Sequence, residues 1–270
     1  MTLGRILASL LLAGSLAMAG GTLLPTPQRA GVGAPADAAQ DLDDYNAPYD
    51  GRYHFFRVRY SVGDRGFGGF GRRGRREPPW GHDYPRAERN FLSIVDETTF
   101  IGPLTDGSNI FELDDPRIYQ YPIAYIVEVG AWNPTDAEVE GLGQYLRKGG
   151  FLIVDDFGTE WELGNLQLHM DRAVPGAKLT LLDETHDIFD SFFRINPALV
   201  VPPYTRGRGP PLFYGIYEDN DPKKRLLAIV NYNNDIAEYW EFSDRGYYPI
   251  DLSNEAYKLG VNYLVYAMTH

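Results

Sequence analysis

The residues best placed to do chemistry are carboxylates at the ends of two apolar segments. Ile123–Val129 is a short apolar run that carries Glu128 near its end. Phe151–Val154 is a second run, and it leads into Asp155 and Asp156. Short runs rich in β-branched and aromatic residues are typical of strands buried on both faces of a sheet. Carboxylates can ligate divalent cations or act as general acids and bases. The sequence therefore predicts a candidate site at these two strand ends.

An imidazole or an aromatic side chain can complete such a site. His186 and His82 are the histidines favoured as partners of the carboxylates, since carboxylate plus imidazole can hold a divalent ion or act as an acid–base pair. Trp132 follows the first run closely and can line a ligand site. The candidate ligand-binding set is Glu128, Trp132, Asp155, Asp156 and His186. A structural role is the alternative for the aspartates, which can cap a helix or accept backbone N–H groups.

A helix between the two runs determines how they pair. A capping box at Thr135 and Glu138 predicts where this helix begins, and Gly149-Gly150 predicts where it ends. A crossover of this length between two buried strands favours a parallel pair. Strands and helices alternate through residues 53–270, which predicts one α/β domain with a mostly parallel sheet and helices on both faces. Ligands bind beyond the carboxyl ends of the strands in such sheets.

Composition excludes several classes of function. The formal net charge is −12, which argues against nucleic-acid binding by the whole surface. The chain has no cysteine, so disulfides, thiolate metal sites and a cysteine nucleophile are excluded. The sequence also lacks a G-x-S-x-G elbow, a P-loop and a dinucleotide fingerprint after the first strand. No cofactor is identified by motif, and a divalent metal is the one that the carboxylates would suit.

The N-terminus predicts export. Met1–Arg5 is a basic segment, Ile6–Leu16 is apolar, and Ala17-Met18-Ala19 is a cleavage site of the A-x-A type, so residues 1–19 are predicted to be a signal peptide. The apolar run is shorter than the roughly 20 residues of a transmembrane helix. Residues 20–52, rich in Gly, Ala, Pro and Asp, are predicted to be a flexible linker. The mature protein is thus expected to be periplasmic or secreted, and not membrane-spanning after cleavage.

A glycine- and arginine-rich loop is predicted at residues 63–76. One interpretation is an RNA-binding segment in which phenylalanines stack on bases. The favoured interpretation, in an acidic exported protein, is a basic loop that docks onto an acidic partner. The candidate partner-binding residues are Arg72, Arg73, Arg75 and Arg76.

Several stretches resemble one family. They are FFRVRY at Phe55–Tyr60, DYPRAERNF at Asp83–Phe91, YPIAYIVEVG at Tyr121–Gly130, TDAEVEGLGQYLRKGGFLIVDDF at Thr135–Phe157 and GVNYLVYAMTH at Gly260–His270. On these stretches the chain is similar to the bacterial domain of unknown function 4159. The resemblance implies a flavodoxin-like fold similar to class I glutamine amidotransferases. In those enzymes a cysteine follows a strand at a sharp turn, and this chain has aspartates and Phe157 at the corresponding place. The resemblance brings no activity with it.

Together these observations favour an exported, non-catalytic amidotransferase-like module that binds a small ligand or a protein partner in the bacterial cell envelope. The missing nucleophile and cofactor motifs argue against an enzyme. The alternative is a metal-dependent or carboxylate-based hydrolase that acts on a glycan or peptide, with Asp155 or Asp156 as metal ligand or general base.

Overall fold

Seven strands make one mostly parallel sheet in the computed structural model, which describes residues 46–62, 78–204 and 209–270. The strands are β1 (Phe56–Val58), β2 (Asn109–Phe111), β3 (Ile123–Val127), β4 (Phe151–Phe157), β5 (Thr180–Leu181), β6 (Leu212–Tyr217) and β7 (Leu226–Tyr232). Their order across the sheet is β2-β1-β3-β4-β7-β6-β5. Neighbours from β2 to β7 in this order pair in parallel, and β6 is antiparallel to both of its neighbours. The five parallel strands have the flavodoxin-like order, so the predicted mostly parallel sheet is confirmed.

Helices cover both faces of this sheet, as predicted. The helices of the described ranges are α1 (Arg86–Thr98), α2 (Asp136–Arg147), α3 (Glu160–Ala173), α4 (Ile236–Phe242) and α5 (Ile250–Thr269). Successive residues of β4 point to opposite faces, so Phe151 and Ile153 join one apolar core while Leu152 and Val154 join the other. The first core contains buried side chains of α1, α4 and α5, and the second contains those of α2 and α3.

The capping box that begins α2 has both of its expected hydrogen bonds. The backbone N–H of Glu138 donates to Thr135 Oγ1, and the N–H of Thr135 donates to the Glu138 carboxylate at 2.7 Å. Thr159 and Glu162 repeat the motif at the start of α3. The two boxes fix where the helices on this face begin, and hence where the loops that follow β3 and β4 end.

Some sequence predictions fall on residues outside the described ranges. These are the signal peptide at 1–19, most of the linker at 20–52, and the loop at 63–76 with Arg72, Arg73, Arg75 and Arg76. They stay predictions. Among the helices that the structure describes, none has the length and apolarity needed to cross a bilayer.

A candidate metal centre at the carboxyl edge of the sheet

Four buried side chains from three separate segments meet where the parallel strands end. His82 and Asp83 lie between β1 and α1, Asp156 lies at the end of β4, and Asp235 follows β7. Each offers one ligating atom, and these atoms all lie within 4.8 Å of one another. The residues are 0–7% exposed, so the charges are shielded from bulk water. This is the edge at which open parallel sheets bind their ligands.

The backbone at this edge is held in an uncommon conformation. Asp83, Glu128, Asp156 and Asn233 all have positive φ, between 49° and 65°. Only a few per cent of non-glycine residues do, roughly, and such residues concentrate at functional sites. At Asp156 the register with β7 also shifts between Val154 and Phe157, which indicates a bulge in β4. The bulge and the left-handed backbone together re-aim the Asp156 side chain.

The imidazole of His82 lies among three carboxylates. Its Nδ1 is 2.7 Å from Asp156 Oδ2 and 3.5 Å from Glu128 Oε1, and its Nε2 is 3.2 Å from Asp83 Oδ1. A hydroxyl approaches the same group from another loop: Tyr204 donates to Asp235 Oδ2 at 2.5 Å and lies 3.1 Å from Asp156 Oδ1. The arrangement links all three segments through polar contacts.

Asp83 is the residue of this group that a bound cation would stabilise most. Its side chain is fully buried, and neither carboxylate oxygen accepts a hydrogen bond. Burial raises the pKa of Asp83 well above its usual value, and the charges of Asp235 and Asp156 raise it further. A buried carboxylate is costly unless it is protonated, paired with a cationic group or bound to a metal, and the imidazole of His82 is the cationic partner within reach of Oδ1. The donor set of one imidazole and three carboxylates can hold a divalent metal ion.

Arg57 anchors the segment that carries His82. This fully buried arginine of β1 donates from Nη1 to the carbonyl oxygens of His82, at 2.7 Å, and Trp80, at 3.2 Å. Its Nε donates to Glu88 Oε1 of α1 at 2.5 Å. Burial raises the pKa of Glu88, and the Arg57 charge opposes that rise. The pair therefore connects β1, α1 and the His82 backbone in one buried network.

Asp155 makes the contacts expected of a structural residue, which was the alternative role considered for the two aspartates. Its Oδ2 accepts hydrogen bonds from Tyr125 Oη at 2.7 Å and from the backbone N–H of Ile236 at 2.9 Å. Its Oδ1 accepts from Asn231 Nδ2 at 3.1 Å. Burial and the Asp235 charge raise the pKa of Asp155 to about 7, although these hydrogen bonds oppose the rise. Asp155 thus ties β4 to the first turn of α4.

Asp155→Ala is expected to lower the free energy of unfolding by at least about 2 kcal/mol, because buried donors lose their acceptor. The donors left behind would be Tyr125, Asn231 and the N–H of Ile236. Urea unfolding of the two proteins measures the difference. A change below about 0.5 kcal/mol, the size usual for surface substitutions, would contradict this role.

The other predicted site residues lie in different places. Glu128 is buried beside His82, as its position at the end of β3 implies. Trp132 is 1% exposed and packs in the core with its ring 5.2 Å from that of His169. The structure therefore brings Glu128, Asp156 and His82 together, whereas Trp132 packs against His169.

His186 lies toward the opposite edge of the sheet. Its ring is 6.1 Å from Tyr217 and 5.7 Å from Tyr266. Tyr217 pairs with Leu226, the first residue of β7, and Tyr266 packs on Phe151, the first residue of β4. These are amino-terminal strand ends, whereas Asp156 lies at a carboxyl end. The chain reverses direction after β5, and apolar periodicity gave no sign of that turn.

Asp83 and Asp235 were missed from the sequence. A signal for Asp235 was present, because it follows the apolar run of β7 as Asp156 follows that of β4. It was hidden by its place at the start of α4, where its Oδ1 accepts the N–H of Glu238. Asp83 lies in a loop with no periodicity, and only its position beside His82 marked it.

Comparison with known proteins places the chain in a family. No curated protein matches the sequence. The sequence model of a domain of unknown function, DUF4159, matches residues 54–268, which include β1 through most of α5 and all four members of the candidate metal centre. The specific likeness to class I glutamine amidotransferases stays a prediction. The match covers well over half of the sequence, so this chain belongs to the DUF4159 family.

Proposed function

We propose that this domain is a metal-binding module of the bacterial cell envelope, which holds a divalent ion with His82, Asp83, Asp156 and Asp235 and uses that edge of the sheet to bind a ligand or partner. The buried Asp83 carboxylate carries the proposal, since it meets three other ligating groups and accepts no hydrogen bond. A cation relieves both the repulsion among the carboxylates and the cost of their burial.

The donor set narrows the choice of ion. Imidazole suits zinc, iron and copper, whereas carboxylates suit magnesium, calcium and manganese. One histidine with three aspartates lies between these groups, so Mn²⁺, Fe²⁺ and Zn²⁺ fit better than Ca²⁺, which prefers oxygen alone. Ion identity is therefore part of the test and is read by elemental analysis.

Export of the module is supported by the basic, apolar and A-x-A segments of residues 1–19. The chain expressed in a bacterial host is expected in the periplasmic or culture fraction, with a mass that begins at Gly20. A cytoplasmic chain that keeps Met1–Ala19 would count against an envelope role, but not against the metal centre.

Metal binding is tested by thermal unfolding of the wild-type protein with Mn²⁺, Zn²⁺, Mg²⁺ and Ca²⁺. An ion that binds only the native state at about 100 times its Kd adds about 2.7 kcal/mol, which is roughly 5–10 °C in a domain of this size. Asp156→Asn is expected to lose most of that increment. Asp155→Asn is the matched control, since it removes the neighbouring charge yet leaves the four ligands, and it is expected to keep the increment.

No stoichiometric metal and no shift with any of the four ions in the wild-type protein would reject the proposal. Equal increments in wild-type protein and Asp156→Asn would reject this ligand set. Loss of the thermal increment in both Asp156→Asn and Asp155→Asn would contradict the assignment of Asp156 as a metal ligand and Asp155 as a structural residue.

A metal-dependent hydrolase is the second candidate, and the position of Glu128 favours it. Glu128 is a buried carboxylate next to His82, yet it is not among the four grouped ligands. A carboxylate beside a metal is the usual general base for water. Glycan and peptide substrates incubated with the metal-loaded protein test this: Glu128→Gln should keep the metal and lose turnover. Absence of turnover by the wild-type protein supports the non-catalytic module.

A further inference from the structure

Asp83 belongs to a second group of ligating atoms. This group contains one carboxylate oxygen each from Asp83, Glu238 and Glu241. As in the first group, the ligating atoms all lie within 4.8 Å of one another. Glu238 and Glu241 are three residues apart on α4, so they share one face of the helix. The two groups thus adjoin each other, with Asp83 common to both.

We propose that the centre holds two divalent ions, with Asp83 as the carboxylate that bridges them. The first ion lies among His82, Asp83, Asp156 and Asp235, and this part rests on the proposed function. The second lies among Asp83, Glu238 and Glu241. Carboxylate-bridged ion pairs with a separation of roughly 3.5–4 Å are a recurrent arrangement in metalloproteins.

The state of the Asp83 carboxylate points to two ions rather than one. Its side chain is fully buried and neither oxygen accepts a hydrogen bond; Oδ1 lies 3.2 Å from Nε2 of His82, which itself belongs to the first group, and Oδ2 faces no donor. A carboxylate with one metal ligand commonly gives its other oxygen to a donor, because ligating carboxylates are themselves hydrogen-bonded. Here the second oxygen is left for a second cation. This observation is independent of the acidic character of the cluster.

Helix α4 positions ligands for both ions. Asp235 caps the helix through Oδ1 and belongs to the first group, while Glu238 and Glu241 lie in the next turns. Glu238 is further fixed by Tyr248, whose hydroxyl donates to its Oε1 at 2.8 Å. The helix is held against β4 by Asp155, so the two glutamates are set relative to Asp156.

Charge balance is consistent with two ions. The two groups together contain five carboxylates and one imidazole. One divalent ion neutralises two negative charges, and a second neutralises two more. Burial and the Asp235 charge raise the pKa of Glu238, so Glu238 lies within reach of the charge of the first group.

The second ion differs from the first in chemistry and access. Its ligands are oxygen alone, which suits Mn²⁺, Mg²⁺ or Ca²⁺. Glu238 and Glu241 are partly exposed, whereas the first group is buried, so this ion keeps positions open to solvent. An anionic oxygen of a bound ligand can occupy those positions, and this makes the second ion the one that contacts the ligand.

Mn²⁺ titration of the full chain tests the proposal by calorimetry and by electron paramagnetic resonance. The wild-type protein is expected to bind two ions and to show a spin-coupled pair. Glu241→Gln should bind one ion, with the uncoupled signal and a retained thermal increment. Glu238→Gln is a second variant with the same expectation. Glu255→Gln changes a half-buried glutamate of α5 that pairs with Lys258 and belongs to neither group; it is the control and should bind two ions.

The outcomes separate the two proposals. One ion in the wild-type protein, unchanged in Glu241→Gln and Glu238→Gln, overturns the second site and leaves the first. Two ions in all four proteins overturn the assignment to Glu238 and Glu241. No ion in the wild-type protein overturns both the pair and the proposed function.

Discussion

Arg57→Met is expected to lower the free energy of unfolding by about 3–5 kcal/mol, because it leaves a buried partner without its counter-charge. Arg57 and Glu88 have side chains that are 0% and 1% exposed. The substitution also removes the donor to the carbonyl oxygens of His82 and Trp80. Chemical denaturation measures the loss, and far-ultraviolet circular dichroism shows whether the variant still folds.

Arg57→Met/Glu88→Leu is the control for this prediction. Replacement of both charges by apolar side chains should recover most of the stability, since a buried ion pair is often no better than a packed apolar pair. The double variant still lacks the anchor on the His82 carbonyl, so its metal affinity should stay below that of the wild-type protein. A loss of less than about 1 kcal/mol in Arg57→Met would contradict the prediction that buried Glu88 depends on the charge of Arg57.

Asp83→Asn is expected to change stability and metal binding in opposite directions. Without metal, it removes a buried charge that faces Asp156 and Asp235, so the free energy of unfolding should rise by about 1–2 kcal/mol. Asparagine tolerates the positive φ of this position, so the backbone should stay as it is. With metal, both ions lose a ligand, and the thermal increment should disappear.

Asp219→Asn is the matched control for Asp83→Asn. Asp219 also has a positive φ, but it is exposed and pairs with Lys224 at the surface, a contact of small energetic value. The variant should keep the metal increment and change stability by less than about 0.5 kcal/mol. If Asp83→Asn destabilises the metal-free protein while Asp219→Asn does not, the Asp83 carboxylate must be stabilised by a contact other than a cation.

Local sequence signals were sufficient to predict the order of strands and helices at the centre of the sheet, but not the full set of site residues. A capping box and two buried apolar runs predicted β3, α2 and β4, because those signals lie within a few residues of one another. The rule that ligands bind at carboxyl strand ends then indicated Glu128 and Asp156. Asp235 obeys the same rule but was masked by its role as the cap of α4.

The remainder of the site depends on loops whose paths have no sequence period. The segment with His82 and Asp83 reaches Asp156 because Arg57 holds its backbone from β1. A buried arginine leaves no periodic signal. The change of chain direction after β5, which also has no periodic signal in the sequence, places His186 away from the carboxyl edge. Long-range polar contacts, rather than apolar pattern, therefore decide which candidates meet.

The ligands of the centre come from the first and the last parallel strands of the chain. Asp83 follows β1 and Asp235 follows β7, so an ion that joins them closes a loop that contains β2 to β7. Such a site is complete only after the sheet has assembled. A bound ion should therefore slow unfolding and leave the refolding rate unchanged, because its contacts form after the rate-limiting barrier. The metal would then lengthen the lifetime of the folded protein by lowering the unfolding rate.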